Sequence, residues 1–212
     1  MKIKIVKNIL DANDQMALEN KRLFDEAGVV AVNIMASPGA GKTSLILKTI
    51  DLLDLPVAVV EGDIASTFDA EKVGEKNVPV VQINTGGACH LDAAMIRKAV
   101  RKLSLKGARI LFIENVGNLV CPAEFKLGER AKVVVASVPE GDDKPYKYPG
   151  MFSAATAVVL NKIDTLPVID YDMRRFKKGV HAVNANAPVF DVSCKTGEGL
   201  GSWIEWLRKL AS

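Results

Sequence analysis

Residues 29–43 read Val29-Val30-Ala31-Val32-Asn33-Ile34-Met35-Ala36-Ser37-Pro38-Gly39-Ala40-Gly41-Lys42-Thr43, and this stretch decides the fold. Its first seven residues form a nearly continuous apolar run, the pattern of a strand buried on both faces. Small, turn-forming residues follow, and Lys42-Thr43-Ser44 opens a helical stretch over 42–53. Strand, glycine-rich turn and helix in this order match the phosphate-loop pattern G-x-x-x-x-G-K-[ST], with Ala36 at the first Gly and an extra Gly39 inside the loop. Between Pro38 and Ser44, the residues Gly39, Ala40 and Gly41 let backbone N–H groups turn inward around a β-phosphate. The helix N-terminus adds its dipole and free donors. Lys42 is then placed to reach the β- and γ-oxygens, and Thr43 to offer its hydroxyl to Mg²⁺.

Outward from this loop the same alternation repeats. Short Val- and Ile-rich runs at 57–61, 79–83, 109–114, 131–138, 156–161 and 188–192 read as strands, with helical stretches at 91–105, 170–180 and 199–211. Strand–helix alternation gives an α/β fold, a P-loop NTPase with a mostly parallel central sheet flanked by helices. Residues 2–6 alternate with period two and predict a short edge strand, and 13–27 predict an amphipathic helix stopped by Gly28. The organisation expected is one P-loop GTPase domain over 1–212, with 1–28 as a strand/helix appendage.

Composition narrows the class. The chain has 212 residues, 28 Lys plus Arg against 25 Asp plus Glu, and a formal charge of +3, too weak a balance for a dedicated nucleic-acid or membrane binder. Three cysteines, at 89, 121 and 194, argue against a secreted disulfide framework and for a reducing compartment. No run approaches the ~18 apolar residues of a membrane helix, and the start lacks the apolar core of a signal peptide. A cytoplasmic location is expected.

Two loops read the base. The run at 156–160 leads into Asn161-Lys162-Ile163-Asp164, where a carboxylate can accept from both the N1–H and the N2–H₂ of guanine. Adenine has no such donor pair and leaves that carboxylate unpaired, at about 1–3 kcal/mol. The stem of Lys162 can lie on the base with its ammonium in water. The run at 188–192 ends in Ser193-Cys194-Lys195, whose amides can reach guanine O6; Cys194 reads as a small loop residue and not as a ligand. On the γ-phosphate side no D-x-x-G stands after the run at 109–113; the sequence has Glu114-Asn115-Val116-Gly117 instead. Glu114 takes the place of the Mg²⁺-side carboxylate and Gly117 can offer its N–H. Asp63, in Glu61-Gly62-Asp63, is a second carboxylate suited to Mg²⁺ or to the attacking water, and Asp69 is a weaker candidate. No Gln adjoins Gly117, so intrinsic hydrolysis is expected to be slow without a partner.

A separate cluster carries metal chemistry. Cys89 and His90 follow Thr85-Gly86-Gly87-Ala88, and Cys121 lies four residues beyond Gly117. Two thiols and an imidazole suit Ni²⁺ or Zn²⁺. Spacing alone leaves open a buried Cys and a helix-start His. Three ligands leave a site incomplete, to be finished by water or by a second copy of the chain. Adjacent residues of a regular strand face opposite ways, so Cys89 and His90 can share an ion only if their backbone is irregular, for which Gly86 and Gly87 provide. The short segment from Glu114–Gly117 to Cys121 would let a change at the γ-phosphate move a metal ligand.

The stretches 37–43, 61–63, Thr85-Gly86-Gly87-Ala88-Cys89-His90-Leu91-Asp92, Ile113-Glu114-Asn115-Val116-Gly117-Asn118-Leu119-Val120-Cys121-Pro122 and Asn161–Asp164 together resemble the HypB family. These are GTPases of nickel insertion into [NiFe] hydrogenase, among the dimerising P-loop metallochaperone and targeting GTPases. The resemblance implies a metal at Cys89, His90 and Cys121, shared across a homodimer that GTP promotes. It implies GTP hydrolysis to GDP and phosphate with Lys42, Asp63 and Glu114 in the catalytic machinery. It also implies docking to a HypA-like zinc-containing nickel chaperone and delivery to the hydrogenase large subunit. The chain departs from some family members in having no cysteine before 89 and only two histidines, His90 and His181, so an N-terminal nickel store is not expected.

Rival readings are a urease-type nickel accessory GTPase, disfavoured because the Cys-Pro-His of UreG is absent, a nucleotide-gated binding module with a structural zinc, and a small-molecule kinase. Residues 140–149 read as a solvated charged loop, or as a dimer-side loop whose Lys144 or Lys147 meets the partner's nucleotide. Trp203, Trp206, Leu207 and Leu210 share a helical face suited to the core, and His181 reads as a surface residue.

Overall fold

The computed structural model describes residues 5–63 and 68–212, with side chains from residue 9 and, after the break, from residue 70. The elements run α1 (Ile5–Glu26), β1 (Val30–Ala36), α2 (Lys42–Leu52), β2 (Val57–Asp63), α3 (Phe68–Gly74), β3 (Val80–Asn84), α4 (Ala93–Val100), β4 (Ile110–Glu114), α5 (Cys121–Glu124), β5 (Ala131–Ser137), α6 (Lys144–Lys147), α7 (Pro149–Ser153), β6 (Ala157–Asn161), α8 (Met173–Val183), β7 (Val189–Asp191) and α9 (Leu200–Ala211). Seven strands form one sheet in the order β3-β2-β4-β1-β5-β6-β7. Every pairing in it is parallel, so the mostly parallel sheet of the sequence reading is parallel throughout.

The continuous apolar runs make the central strands because both faces are covered. On one face Val32, Ile34 and Ala36 of β1 meet Leu45 and Ile46 of α2 and Trp203 and Leu207 of α9. On the other, Ala31, Val60 and Ile113 meet Phe24 of α1 and Ile96 of α4, while Val134, Ala136 and Leu160 meet Phe152 of α7 and Phe176 of α8. Trp203 therefore belongs to the core, as its spacing predicts, and His181 is exposed.

Three expectations need correction. The strand at 2–6 does not form where the chain is described: residues 5 and 6 begin α1, and residues 1–4 lie outside the described residues. Within a helix the backbone groups pair along the segment, so five alternating residues need no strand beside them. Nor is the described part of 1–28 peripheral, since Ala17, Asn20 and Phe24 are buried against the sheet and its neighbours. The charged stretch 140–149 is not a plain loop: it holds α6 and the start of α7, with Pro145 buried.

One buried polar contact joins the two helices of the first face. The indole Nε1–H of Trp203 donates to Thr49 Oγ1 at 2.8 Å, and that hydroxyl donates to the Leu45 carbonyl at 2.7 Å. Both side chains are fully buried. Thr49→Val keeps the shape and removes the acceptor, leaving the indole N–H unpaired. We expect a stability loss of about 1–3 kcal/mol, read in urea as a lower midpoint with unchanged slope.

Candidate nucleotide and metal site

All strands run parallel, so their carboxyl ends lie along one edge of the sheet, the edge at which open α/β sheets bind ligands. The loop after β1 turns there. Gly39 and Gly41 have φ of 77° and 101°, a region that side chains disfavour. At Gly41 space is the stronger constraint, because a Cβ would stand 2.4 Å from Asn161 Nδ2. Ala40 is fully buried, Lys42 begins α2 half-buried, and Ser44 is exposed. Pro38 lies against Gly117, where a Cβ would come within 3.0 Å of the Pro38 backbone nitrogen. The segment after β4 is thus pressed directly onto the phosphate loop.

Asn161, at the end of β6, is only 2% exposed. Its Nδ2 donates to the Ala40 carbonyl at 3.0 Å, and its Oδ1 accepts from the amides of Lys162 at 2.8 Å and Cys194 at 3.2 Å. The side chain therefore ties the phosphate loop to both base-reading loops. Lys162, held at φ 62°, reaches back so that Nζ donates to the Gly39 carbonyl at 2.7 Å, which lays its stem across the space between loops. Asp164 accepts from Ser193 Oγ at 2.6 Å. Its other oxygen is the edge that a base can meet. Burial pushes the Cys194 thiol up to about 11, so it is inert, and Lys195 is exposed.

On the γ-phosphate side, Thr43 Oγ1 donates to Glu114 Oε1 at 2.8 Å. Glu114 is 2% exposed and in register with Glu61 of β2; Asp63 ends the same strand. A hydroxyl and a carboxylate meeting at the mouth of a phosphate loop are a donor set suited to Mg²⁺. The side chain of Asp69 lies outside the described residues.

The candidate metal ligands Cys89, His90 and Cys121 gather at the same edge. After β3, Gly86 and Gly87 take φ of 60° and 103°, and Gly86 N–H donates to Asn84 Oδ1 at 2.9 Å. This irregular turn presents Cys89 and His90 to one side. Cys89 Sγ lies 3.2 Å from Cys121 Sγ and 3.5 Å from His90 Nδ1, and donor atoms of all three residues fall within 4.8 Å of one another. Two thiolates about 2.3 Å from one ion sit roughly 3.3–3.8 Å apart, so the two sulfurs need only move slightly apart to hold one. The His90 ring packs on Phe125 at 3.9 Å between centroids. Burial, partly opposed by Asp92 and Glu124, lowers the His90 pKa and favours the neutral, metal-binding ring. The adjacent Cys89 sulfur, then partial burial, raises the Cys121 thiol.

Several contributors escaped the sequence reading. Asn115, 1% exposed, accepts on Oδ1 from the amides of Leu91 and Val116, both at 3.0 Å, and donates from Nδ2 to Asn33 Oδ1 at 3.1 Å. It thereby links the residue after Glu114 to the residue after His90. Leu91 in turn fills the space over Gly62, where a Cβ would lie 2.7 Å from Leu91 Cδ1. Glu140 accepts from Ser37 Oγ and, at 2.8 Å, from Ser137 Oγ, anchoring the start of the phosphate loop. Buried Asn within E-N-V-G and acid in a charged stretch gave no distinguishing pattern. Lys147 pairs with Asp143 at 2.5 Å and Lys144 stands 5.5 Å over the Tyr148 ring. No helix among the described residues is long and apolar enough to cross a membrane.

Known proteins match both the sequence and this geometry. The family model for the CobW/HypB/UreG nucleotide-binding domain matches residues 30–191. The hydrogenase maturation factor HypB of Azotobacter chroococcum is 46% identical over 98% of this chain and 68% of its own length. The crystal structure of HypB from Helicobacter pylori in complex with nickel superimposes with a TM-score of 0.92 at 39% identity, covering 94% of this chain and 95% of that one. HypB from Archaeoglobus fulgidus does so with a TM-score of 0.89 at 38% identity, over 95% of this chain and 100% of that one.

The three thiols differ in access: Cys89 is exposed, Cys121 half-buried and Cys194 buried. Iodoacetamide at pH 8 should alkylate Cys89 and Cys121 in the folded protein and reach Cys194 only after unfolding, as followed by intact mass.

Proposed function

Because the chain belongs to the HypB family of hydrogenase maturation factors, within the CobW/HypB/UreG nucleotide-binding domains, we propose that it hydrolyses GTP and couples its nucleotide state to nickel handling during [NiFe]-hydrogenase maturation. The observation that carries this reading is the gathering of Cys89, His90 and Cys121 at the sheet edge that holds the phosphate loop, with Asn115 bonded between the two. The relative from Helicobacter pylori crystallised with nickel supports nickel as the cargo.

In this reading Gly39, Ala40, Gly41 and Lys42 hold the phosphates, and Asp164 with the Ser193-Cys194-Lys195 loop takes the guanine edge. Asn161 fixes their relative positions. Thr43 and Glu114, with Asp63 behind them, would hold Mg²⁺, which would supply positive charge to neutralise that developing on the β- and γ-oxygens. Gly117 offers its N–H to the γ-phosphate. Asp63 orients the water for in-line attack, the γ-phosphorus bond to that water forms as the bond to the β–γ bridging oxygen breaks, and the water's proton leaves with phosphate. GTP promotes a homodimer in which two sets of three ligands face one another, and Lys144 or Lys147 reaches the partner's nucleotide. Nickel, taken up with a HypA-like zinc-containing chaperone, passes on to the hydrogenase large subunit; Zn²⁺ competes for the same thiols.

The deciding experiment measures nickel affinity with GDP and then with a non-hydrolysable GTP analogue, reading molecular mass in the same samples. The analogue should raise the mass to that of a dimer and change nickel affinity, and Cys121→Ala should abolish the nickel response. Mass and affinity that ignore the nucleotide would overturn the coupling.

Nickel must also displace protons from two thiols. The adjacent Cys89 sulfur raises the Cys121 pKa, which makes its proton harder to displace, and burial lowers the His90 pKa, which favours the neutral ring. Nickel affinity should therefore rise from pH 6 to pH 8, with protons released on binding. A competition titration at three pH values checks this.

A further inference from the structure

The N-terminal helix reaches the metal ligands through two buried asparagines. Asn13 and Asn20 stand two helical turns apart on one face of α1, 9% and 1% exposed. Asn13 Oδ1 accepts from the Ala93 amide at 2.9 Å, and its Nδ2 donates to the Lys126 carbonyl at 2.8 Å. Asn20 Nδ2 donates to the Ala93 carbonyl at 2.8 Å and to the Leu127 carbonyl at 3.0 Å. Each side chain thus bridges the same two segments. One begins three residues after His90, where Asp92 caps α4; the other begins just beyond Phe125, on which His90 stacks, and leads back through α5 to Cys121. The fit allows no slack: Gly128 has φ 99°, and a Cβ there would stand 2.7 Å from Asn20 Cβ and 2.8 Å from the Ala17 carbonyl oxygen.

We propose that Asn13 and Asn20 are positioning residues of the metal site, α1 serving as a brace that sets the separation between the segment bearing Cys89 and His90 and the segment bearing Cys121. This rests on the nickel reading above. An asparagine is suited to the task because its amide carries both donors and an acceptor: Asn13 satisfies the N–H of Ala93 and the C=O of Lys126, and Asn20 donates to the carbonyls of Ala93 and Leu127. An apolar residue would pack there and leave the two segments free to slide. Neither asparagine approaches the phosphate loop's partners described above, so the brace acts on metal and not on nucleotide.

The test compares wild type with the Asn13→Ala/Asn20→Ala protein, using NiSO₄ and GDP separately. Loss of the brace should weaken nickel binding by about 10–100-fold, as for other groups that orient metal ligands, and alter the thiolate-to-nickel absorption band. GDP affinity should stay within about twofold, a change worth only ~0.4 kcal/mol. Asp14→Ala, which removes the exposed 2.7 Å pair with Lys126 from the same helix, should change neither. If the double variant does not fold, Asn13→Ala alone decides: its side chain lies at the rim, and nickel affinity should fall about tenfold. A folded variant with wild-type nickel affinity and spectrum overturns the proposal, as does a parallel loss of GDP affinity. Should Cys121→Ala bind nickel as wild type does, the nickel reading itself fails and this inference with it.

Discussion

One side-chain amide holds the nucleotide edge of this protein together. Asn161 is bonded at once to the phosphate loop, to the turn that carries Asp164 and to the loop that carries Cys194. Three loops from three strand ends would otherwise move independently. Burying one amide and satisfying its bonds makes their spacing a property of the core. Gly41 follows from the same constraint, since Asn161 Nδ2 occupies the place of any Cβ there. The residue most easily taken for a base reader is in this geometry a frame on which the candidate base reader, Asp164, is mounted.

From that frame polar contacts continue toward the sulfur ligands. Thr43 bonds Glu114; the next residue, Asn115, bonds the amide of Leu91; the residue before Leu91 is His90. Gly117 touches Pro38 on one side and lies four residues from Cys121 on the other. Both segments that bear the candidate metal ligands therefore have their roots in the segment that touches the phosphate loop. Packed segments of this kind move between discrete arrangements and do not deform continuously. The segment Glu114–Gly117 is separated from each group of candidate ligands by at most a few residues.

How much of this was legible depended on whether the signal was local. Six of the seven strands follow β1 as Val- and Ile-rich runs, and a strand covered on both faces can be little else. The phosphate loop and the Asn161–Asp164 turn announce themselves because backbone geometry demands particular residues at fixed spacing. The approach of Cys121 to Cys89, across 32 residues, was only weakly legible from the thiols and imidazole themselves, and the resemblance sharpened it. The N-terminal alternation misled because five residues fit both a strand edge and the first turn of a helix, and the choice is made by Phe24 and Asn20 further on. Helix α3 and the short helices α6 and α7 were missed because seven residues or fewer carry no periodicity to read. The bonding of the buried asparagines was missed for a different reason: nothing local marks Asn13, Asn20, Asn33 and Asn115 as tied across the core, and only partners 24 to 113 residues away reveal it.

The strand order carries a consequence for how the chain is made. β1 lies between β4 and β5, so the first strand synthesised gains its first neighbour only when residue 110 has been added and its second only when residue 131 has. The asparagines of α1 wait as long, for Ala93 and for Lys126 and Leu127. At ~5–20 residues per second the wait for β4 is roughly 4–15 s. Throughout it, β1 has no strand to pair with. The segment Val30–Ala36 is thus the part of the nascent chain most in need of shelter, and conditions that slow translation between residues 36 and 110 fall on the step at which it is least protected.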